Sequence, residues 1–394
     1  MKRYTTIADI AAKAEVSTAT VSRYLNSPDK VASNTAQKVE KAIQVLGYTP
    51  GRQKKKPSKN ATMAQVANKA GVSKATVSRV MNDSNLVQEQ TRQKVLEAMK
   101  DLNYRPNMIA RNLRKQKTKM LGIILPDISN PFYSKVLTGI ENVACDAGYE
   151  IVLMNTNYNE EREARNFQTL MERRAEGVLF MCHHLDEKKI EWLKKYSLPF
   201  VLISRNVEDD QIPYVNIDNF KGGYDATRHL ISLGHKKIGL ISGPFSDESS
   251  SLDRIAGYMK ALDQADIKFK EDYLREGDFT FRTSQRLVKE LLSLPEPPTA
   301  IFAVSDETAI GAIKGAKELG ISVPQDLSIV GFDNLELSYF YNPALTTIAQ
   351  PMTQMGKRST EILLNIIENK KVDEFQVILP HKLIERDSTA EIRS

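Results

Sequence analysis

Two octapeptides decide how this chain is read: Val16-Ser17-Thr18-Ala19-Thr20-Val21-Ser22-Arg23 and, 56 residues further on, Val72-Ser73-Lys74-Ala75-Thr76-Val77-Ser78-Arg79. They are the best-matched block of a longer internal repeat. Thr6 to Pro50 aligns without gaps on Thr62 to Pro106, with roughly half the positions identical, and a repeat of that quality is one structural unit made twice. Each copy predicts three short helices. Ile7, Ile10, Ala11 and Ala14 give the first helix an apolar stripe at i, i+3, i+4 and i+7. Thr6 with Asp9, and Thr62 with Gln65, stand at capping-box spacing. Glu15 and Gly71 fall at a tight turn, Ser17 and Ser73 at the N-cap of the second helix. A third helix over about 33–46 closes the unit.

Three helices with a tight turn between the first two predict a helix-turn-helix. The second helix of that motif enters the major groove with its N-terminal residues at the base edges. Those residues are Thr18 and Ala19 in copy one, Lys74 and Ala75 in copy two. Arg23 and Arg79 lie further along the same face, and arginine bonds guanine bidentately. Ser17, Thr20, Asn26 and Tyr48, with Ser73, Thr76, Asn82 and Tyr104, are donors suited to phosphate; such contacts set register rather than specificity. The rival reading is a plain three-helix bundle with a solvated polar face. Charge argues against it. Residues 1–119 hold 24 Lys+Arg against 8 Asp+Glu, a net +16, whereas the remainder is −10. A chain split this way has one end for a polyanion and one that repels it.

The pattern Thr-x-x-x-Ile/Val-Ala-x-x-Ala-x-Val-Ser-x-x-Thr-Val-Ser-Arg, followed by Asn, resembles the lactose/galactose-repressor family. Copy two extends the resemblance through Leu102-Asn103-Tyr104-Arg105-Pro106-Asn107 and Ala110-Arg111-Asn112-Leu113. The resemblance implies a hinge helix at 107–118, with Asn107 and Arg111 on DNA and Leu113 as a minor-groove wedge of the kind architectural binders use. Copy one departs from the family. It runs into Gly51-Arg52-Gln53-Lys54-Lys55-Lys56-Pro57-Ser58-Lys59-Asn60, a basic, polar stretch that reads as a flexible linker with general phosphate affinity.

From Met120 the pattern changes. Apolar runs at 121–125, 151–154, 178–181, 200–203, 238–241, 300–304 and 327–330 alternate with amphipathic stretches. Continuous apolar strands separated by helices predict parallel sheets covered on both faces, and seven units suit two doubly wound subdomains. Ligands of such folds bind beyond the carboxyl ends of the strands. The residues there include Asp127 to Tyr133, Asn155, Cys182-His183-His184, Ser204-Arg205, Asp306 and Asp333-Asn334. Carboxylates, amides and guanidinium forks around aromatic faces suit a polyol. Cys182-His183-His184 invites a metal, but adjacent strand side chains point to opposite faces; no metal and no cofactor are expected. No nucleophile–base pair or phosphate loop stands out, so no enzyme is expected either.

Asp306-Glu307-Thr308-Ala309-Ile310-Gly311, Gly331-Phe332-Asp333-Asn334 and Leu345-Thr346-Thr347-Ile348-Ala349-Gln350-Pro351 look like the same family's effector domain. That resemblance implies a periplasmic-binding-protein-like fold. By likeness to ribose-binding members, the pocket is Asn130, Phe132, Tyr133, Arg205, Arg254, Phe279, Asp306 and Gln350, with Arg254 the central ligand. Ser204 stands where those members have an acid, which puts plain ribose in doubt. Segments such as Gly277-Asp278-Phe279-Thr280-Phe281 are most similar to the cytidine repressor, so a nucleoside is the companion candidate. The runner-up is a carbon-catabolite regulator controlled by a phosphorylated carrier protein; Arg254 discriminates, because that type lacks the arginine.

The expected organisation is therefore two all-α helix-turn-helix modules, 1–50 and 61–106, a linker at 51–60, the hinge, and an α/β effector and dimerisation domain at 119–394. Its two subdomains are expected at about 119–217 plus 350–370, and 218–349 plus 371–394. Expected partners are double-stranded operator DNA, a sugar or nucleoside, and a second copy of the chain. Only two cysteines, Cys145 and Cys182, occur, so no disulfide framework is available. The N-terminus lacks the apolar core of a secretory signal, and no run of 18 apolar residues exists. The expected compartment is the cytoplasm.

Overall fold

The computed structural model describes residues 5–48, 61–82, 87–104, 118–182, 185–196, 198–246 and 248–392. The chain divides into two compact units, one holding the helical modules and the other the α/β region.

In the first module α1 (Ile7–Ala14), α2 (Thr18–Asn26) and α3 (Ser33–Leu46) surround a core of Ile10, Val21 and Val39, wholly buried, with Ala11, Ala14 and Ala42. The second repeats this with α4 (Met63–Ala70), α5 (Lys74–Asn82) and α6 (Glu89–Asp101) around Val66, Ala67, Val77, Val80, Val95 and Ala98. Both entry caps are reciprocal. Thr6 N donates to Asp9 Oδ2 at 2.8 Å while its Oγ1 accepts from Asp9 N, and Thr62 with Gln65 does the same. The tight turn needs a left-handed residue in each copy. Gly71 takes φ 67 without penalty, while Glu15 sits at φ 55, at a cost of about 1 kcal/mol.

In the α/β unit strands and helices alternate: β1 (Met120–Leu125), α7 (Pro131–Asp146), β2 (Glu150–Asn155), α8 (Glu160–Glu172), β3 (Gly177–Phe180), α9 (Glu187–Lys195), β4 (Phe200–Ile203), β5 (Tyr214–Ile217), α10 (Asn219–Ser232), β6 (Ile238–Ile241), α11 (Asp253–Asp263), β7 (Leu274–Arg275), α12 (Phe281–Leu292), β8 (Ala300–Ala303), α13 (Asp306–Glu318), β9 (Ser328–Asp333), α14 (Glu336–Phe340), β10 (Thr346–Ala349), α15 (Met352–Ile367), β11 (Gln376–Leu379) and β12 (Lys382–Ile384). They form two sheets, β11-β5-β4-β3-β1-β2 and β12-β10-β9-β8-β6-β7. Every pairing is parallel except β12 on β10. In each sheet the strand order reverses beside its first strand, β1 or β6, which is the switch point where doubly wound sheets open a crevice.

All seven apolar runs are strands. The short strands β5, β7, β10, β11 and β12 escape an apolar-run reading because they are brief or polar. Thr346 and Thr347 of β10 are wholly buried, their hydroxyls bonded to Thr389 and Asp306. One boundary is corrected. The stretch 371–394 does not belong wholly to the second subdomain: β11 pairs with β5 in the first sheet, and only β12 pairs with β10 in the second. Hydrogen bonding to the Tyr214–Ile217 edge, invisible in sequence, decides this.

Helices α10 and α11 cross closely on the second sheet. A β-carbon at Gly257 would lie 2.0 Å from the Phe220 carbonyl oxygen, and one at Gly223 2.3 Å from that of Arg254. This approach sets the base of α11, where Arg254 sits.

Candidate functional site

Each helical module presents the N-terminus of its second helix outward. Ser17 caps α2, accepting from Thr20 N at 3.1 Å, and Ser73 stands likewise before α5, accepting from Thr76 N at 3.0 Å. Thr18, Ala19 and Arg23 are exposed, as are Lys74, Ala75 and Arg79. Asn26 is exposed and donates to its own helix at Ser22 O, 2.9 Å; Asn82 closes α5. Tyr48 and Tyr104 pack their rings on the module cores. Asn107, Arg111 and Leu113 lie outside the described residues.

The α/β unit holds a cleft between its two sheets, with about 590 Å³ of unfilled space including its open mouth. Its walls are residues that follow strand ends. After β1, Asn130 caps α7, accepting from Phe132 N at 2.9 Å, and Phe132 and Tyr133 meet edge to face at 5.3 Å. After β4 the chain turns left-handed at Ser204, φ 60, and Arg205 donates to the Ser204 carbonyl at 2.7 Å. From the other sheet, Phe279, also left-handed at φ 63, lays its ring against Gly243, where any β-carbon would meet it at 2.2 Å. A π-helical turn at Glu248–Leu252 leads into α11; such turns gather at functional sites.

Arg254 is 4% exposed. Its Nε donates to Asn219 Oδ1 at 3.0 Å, one terminal nitrogen donates to Val304 O at 2.5 Å, and its guanidinium lies 3.6 Å from the Phe332 ring centre. Asp333, at φ 120, accepts from Gln350 Nε2 at 2.7 Å. Burial pushes its carboxyl up to about 6, against the pull of Arg254. Gln350 Oε1 is buried without a hydrogen-bond partner. An orphaned buried acceptor costs on the order of 1–3 kcal/mol, and it stands on the cleft wall.

Of the eight residues expected to line the pocket, Asn130, Phe132, Tyr133, Arg205, Arg254, Phe279 and Gln350 stand together around this cleft. Asp306 does not, and that expectation is corrected. It is wholly buried beneath the wall, accepting from Leu335 N at 2.7 Å and Thr347 Oγ1 at 2.6 Å. Burial first, then Asp333, holds its carboxyl well above the usual carboxylate range. Asp333 takes the acidic position on the wall instead. Tyr158, Met181, Ile203, Ser250 and Ser305 also line the cleft without a sequence signal beyond following, or ending, a strand or turn. Cys182 joins them; burial pushes its thiol up to about 11, so it is a neutral wall and not a thiolate nucleophile. Among the described residues no three His, Cys, Asp or Glu side chains gather as metal ligands, and no helix is long and apolar enough to cross a membrane.

The model of periplasmic binding proteins and the sugar binding domain of the LacI family matches residues 118–387. The model of bacterial regulatory proteins, lacI family, matches twice, at 6–51 and 62–107. Catabolite control protein A of Priestia megaterium is 40% identical over 330 residues, covering 84% of this chain and 99% of that one. The Lac repressor dimer bound to operator and the anti-inducer ONPF superposes with TM-score 0.77 at 30% identity, over 84% of this chain and 99% of that one. A LacI family transcriptional regulator from Enterococcus faecium with bound ribose superposes with TM-score 0.61 at 32% identity, over 70% and 100%.

Proposed function

The chain belongs to the lacI family of bacterial regulatory proteins, and from that premise we propose that its cleft takes a pentose or a pentose-bearing nucleoside that controls operator binding. The protein is a DNA-binding transcription regulator with a ligand-binding effector domain. The observation that carries the ligand proposal is the buried trio Arg254, Asp333 and Gln350, with one unsatisfied amide oxygen, facing the rings of Phe132, Tyr133 and Phe279. A polyol supplies a hydroxyl to that oxygen, acceptors to the guanidinium, and C–H faces to the rings. The ribose bound by the Enterococcus faecium regulator supports the pentose class. Segment likeness to the cytidine repressor supports the nucleoside.

The second module with the adjoining 107–118 segment carries the core operator specificity. The protein acts as a homodimeric repressor, since two-fold readers recognise palindromic half-sites; the Lac repressor dimer on its operator supports this. Static light scattering at micromolar concentration checks it, and a monomer counts against it. Control by a phosphorylated carrier protein keeps the likeness to catabolite control protein A in its favour; the buried arginine in the cleft favours the small molecule. The test of the ligand reading is a thermal-shift screen with pentoses, hexoses and nucleosides, because a ligand of the native state raises apparent stability. A shift confined to pentose-bearing compounds supports the proposal. No shift with any of them refutes it, and turnover of the compound refutes the reading that the cleft only binds.

A further inference from the structure

The two modules share one frame and differ at one exposed position of the reading helix. Helix α2 is Thr18-Ala19-Thr20-Val21-Ser22-Arg23-Tyr24-Leu25-Asn26; α5 is Lys74-Ala75-Thr76-Val77-Ser78-Arg79-Val80-Met81-Asn82. Three positions differ. Two of them, Tyr24/Val80 and Leu25/Met81, pack on their own module cores. The third, Thr18/Lys74, is exposed at the helix N-terminus in both. The groups that fix a reading helix on a duplex are unchanged. Ser17 Oγ stands 2.9 Å from Thr20 Oγ1, and Ser73 Oγ 2.9 Å from Thr76 Oγ1. Arg23 and Arg79 are both exposed, and neither forms an ion pair among the described residues.

Charge points the same way. Residues 5–48 carry five basic and four acidic residues, residues 61–104 six and four, while residues 49–60 between them carry five basic and no acidic residue. Neither module is strongly basic alone, and the cationic segment is attached to both, so its attraction for phosphate serves one as well as the other. A duplicate that had ceased to read DNA has no use for a preserved set of outward donors beside that segment.

We propose that the first module is a second DNA reader on the same chain, selecting a half-site that differs from the second module's at the base pair beneath Thr18. Lys74 is a long cationic donor, and such a donor at a base edge selects guanine through O6 and N7. Thr18 is short and uncharged; its methyl meets the methyl of thymine. With the same frame and the same arginine, the two modules dock alike and disagree at that one base pair. The operator is then a composite of two kinds of half-site. This inference rests on the reading of the second module as a DNA reader, and its test separates the two.

The test is selection of binding sites from a pool of random duplexes by the full chain, as wild type and as the exposed-site variants Thr18→Lys, Arg23→Ala and Lys74→Thr. The wild type should enrich two motif classes that differ at one base pair, with a preference of about tenfold or more at that position. Thr18→Lys should merge them into the guanine class. Arg23→Ala should deplete the first class alone, and Lys74→Thr should convert the second towards the first. A single wild-type class that answers to Lys74→Thr but not to Thr18→Lys or Arg23→Ala overturns the inference and leaves the second module a reader. Two classes unmoved by Thr18→Lys overturn the assignment to Thr18. Enrichment of nothing by any form overturns both readings.

Discussion

The reading helices and the effector cleft place their functional groups under opposite constraints. In each module the base-facing groups, Thr18, Ala19 and Arg23 or Lys74, Ala75 and Arg79, lie within six residues of one another, exposed on one helix above an apolar core. In the cleft they come from chain positions as distant as Asn130 and Gln350, and Arg205, Arg254, Asp333 and Gln350 are all at least nine-tenths buried. The difference teaches where stability and function can be separated. An exposed reading residue can change its base preference while the fold is unaffected. A buried cleft residue holds up the wall it belongs to, so changing it moves both.

The strongest challenge to that contrast is Gly257→Val. A β-branched side chain cannot fit 2.0 Å from the Phe220 carbonyl, so α10 and α11 must part. The α/β unit should lose about 3 kcal/mol or more, and the effector response with it. Denaturant unfolding followed at Trp192, the single tryptophan, reads the loss. The contrast breaks if the effector response survives at full strength.

Arg254→Ala should abolish the ligand-induced shift and cost about 2 kcal/mol, because Asn219 and Val304 O each lose a donor. Operator binding without ligand should stay nearly intact. Arg23→Ala, its counterpart on an exposed face, should leave the unfolding curve where it is. If the two substitutions destabilise equally, the distinction between buried and exposed function fails.

Asp333 gives the cleft a pH dependence of its own. Its folded value, about 6, stands above the usual 3.8, so the folded state keeps a proton that the unfolded chain releases. The contribution of this group to stability is then fully present below about pH 4 and is lost as pH rises through about 6, a loss of about 3 kcal/mol. Asp306, shifted in the same direction, adds to the slope. Asp333→Asn should flatten the profile of unfolding midpoint against pH over that window; an unchanged slope refutes the assignment.

The smallest effects test the likeness of the two modules. Thr6→Ala and Thr62→Ala each remove one side of a capping box and should each cost about 1 kcal/mol, seen as equal losses in the helical unfolding transition. Unequal losses mean that the duplicate frames are not equivalent.

The sequence by itself determined the modules almost to the residue. Helix periodicity, Thr and Ser caps and the left-handed turn are local effects, acting over three or four residues, and the repeat states them twice. It also determined the strands at the centre of both sheets, since a strand covered on both faces must be apolar throughout. Only the tertiary structure decided that Gln376–Leu379 joins the first sheet, that Thr346 and Thr347 make a buried strand, and that Asp333 rather than Asp306 stands on the cleft wall. Asp306 lies just beyond β8 and Asp333 ends the adjacent strand β9, and the two look alike as sequence. Which one faces the cleft depends on where the Leu335 amide and the Thr347 hydroxyl end up, and those groups are placed by long-range packing and not by any neighbour along the chain.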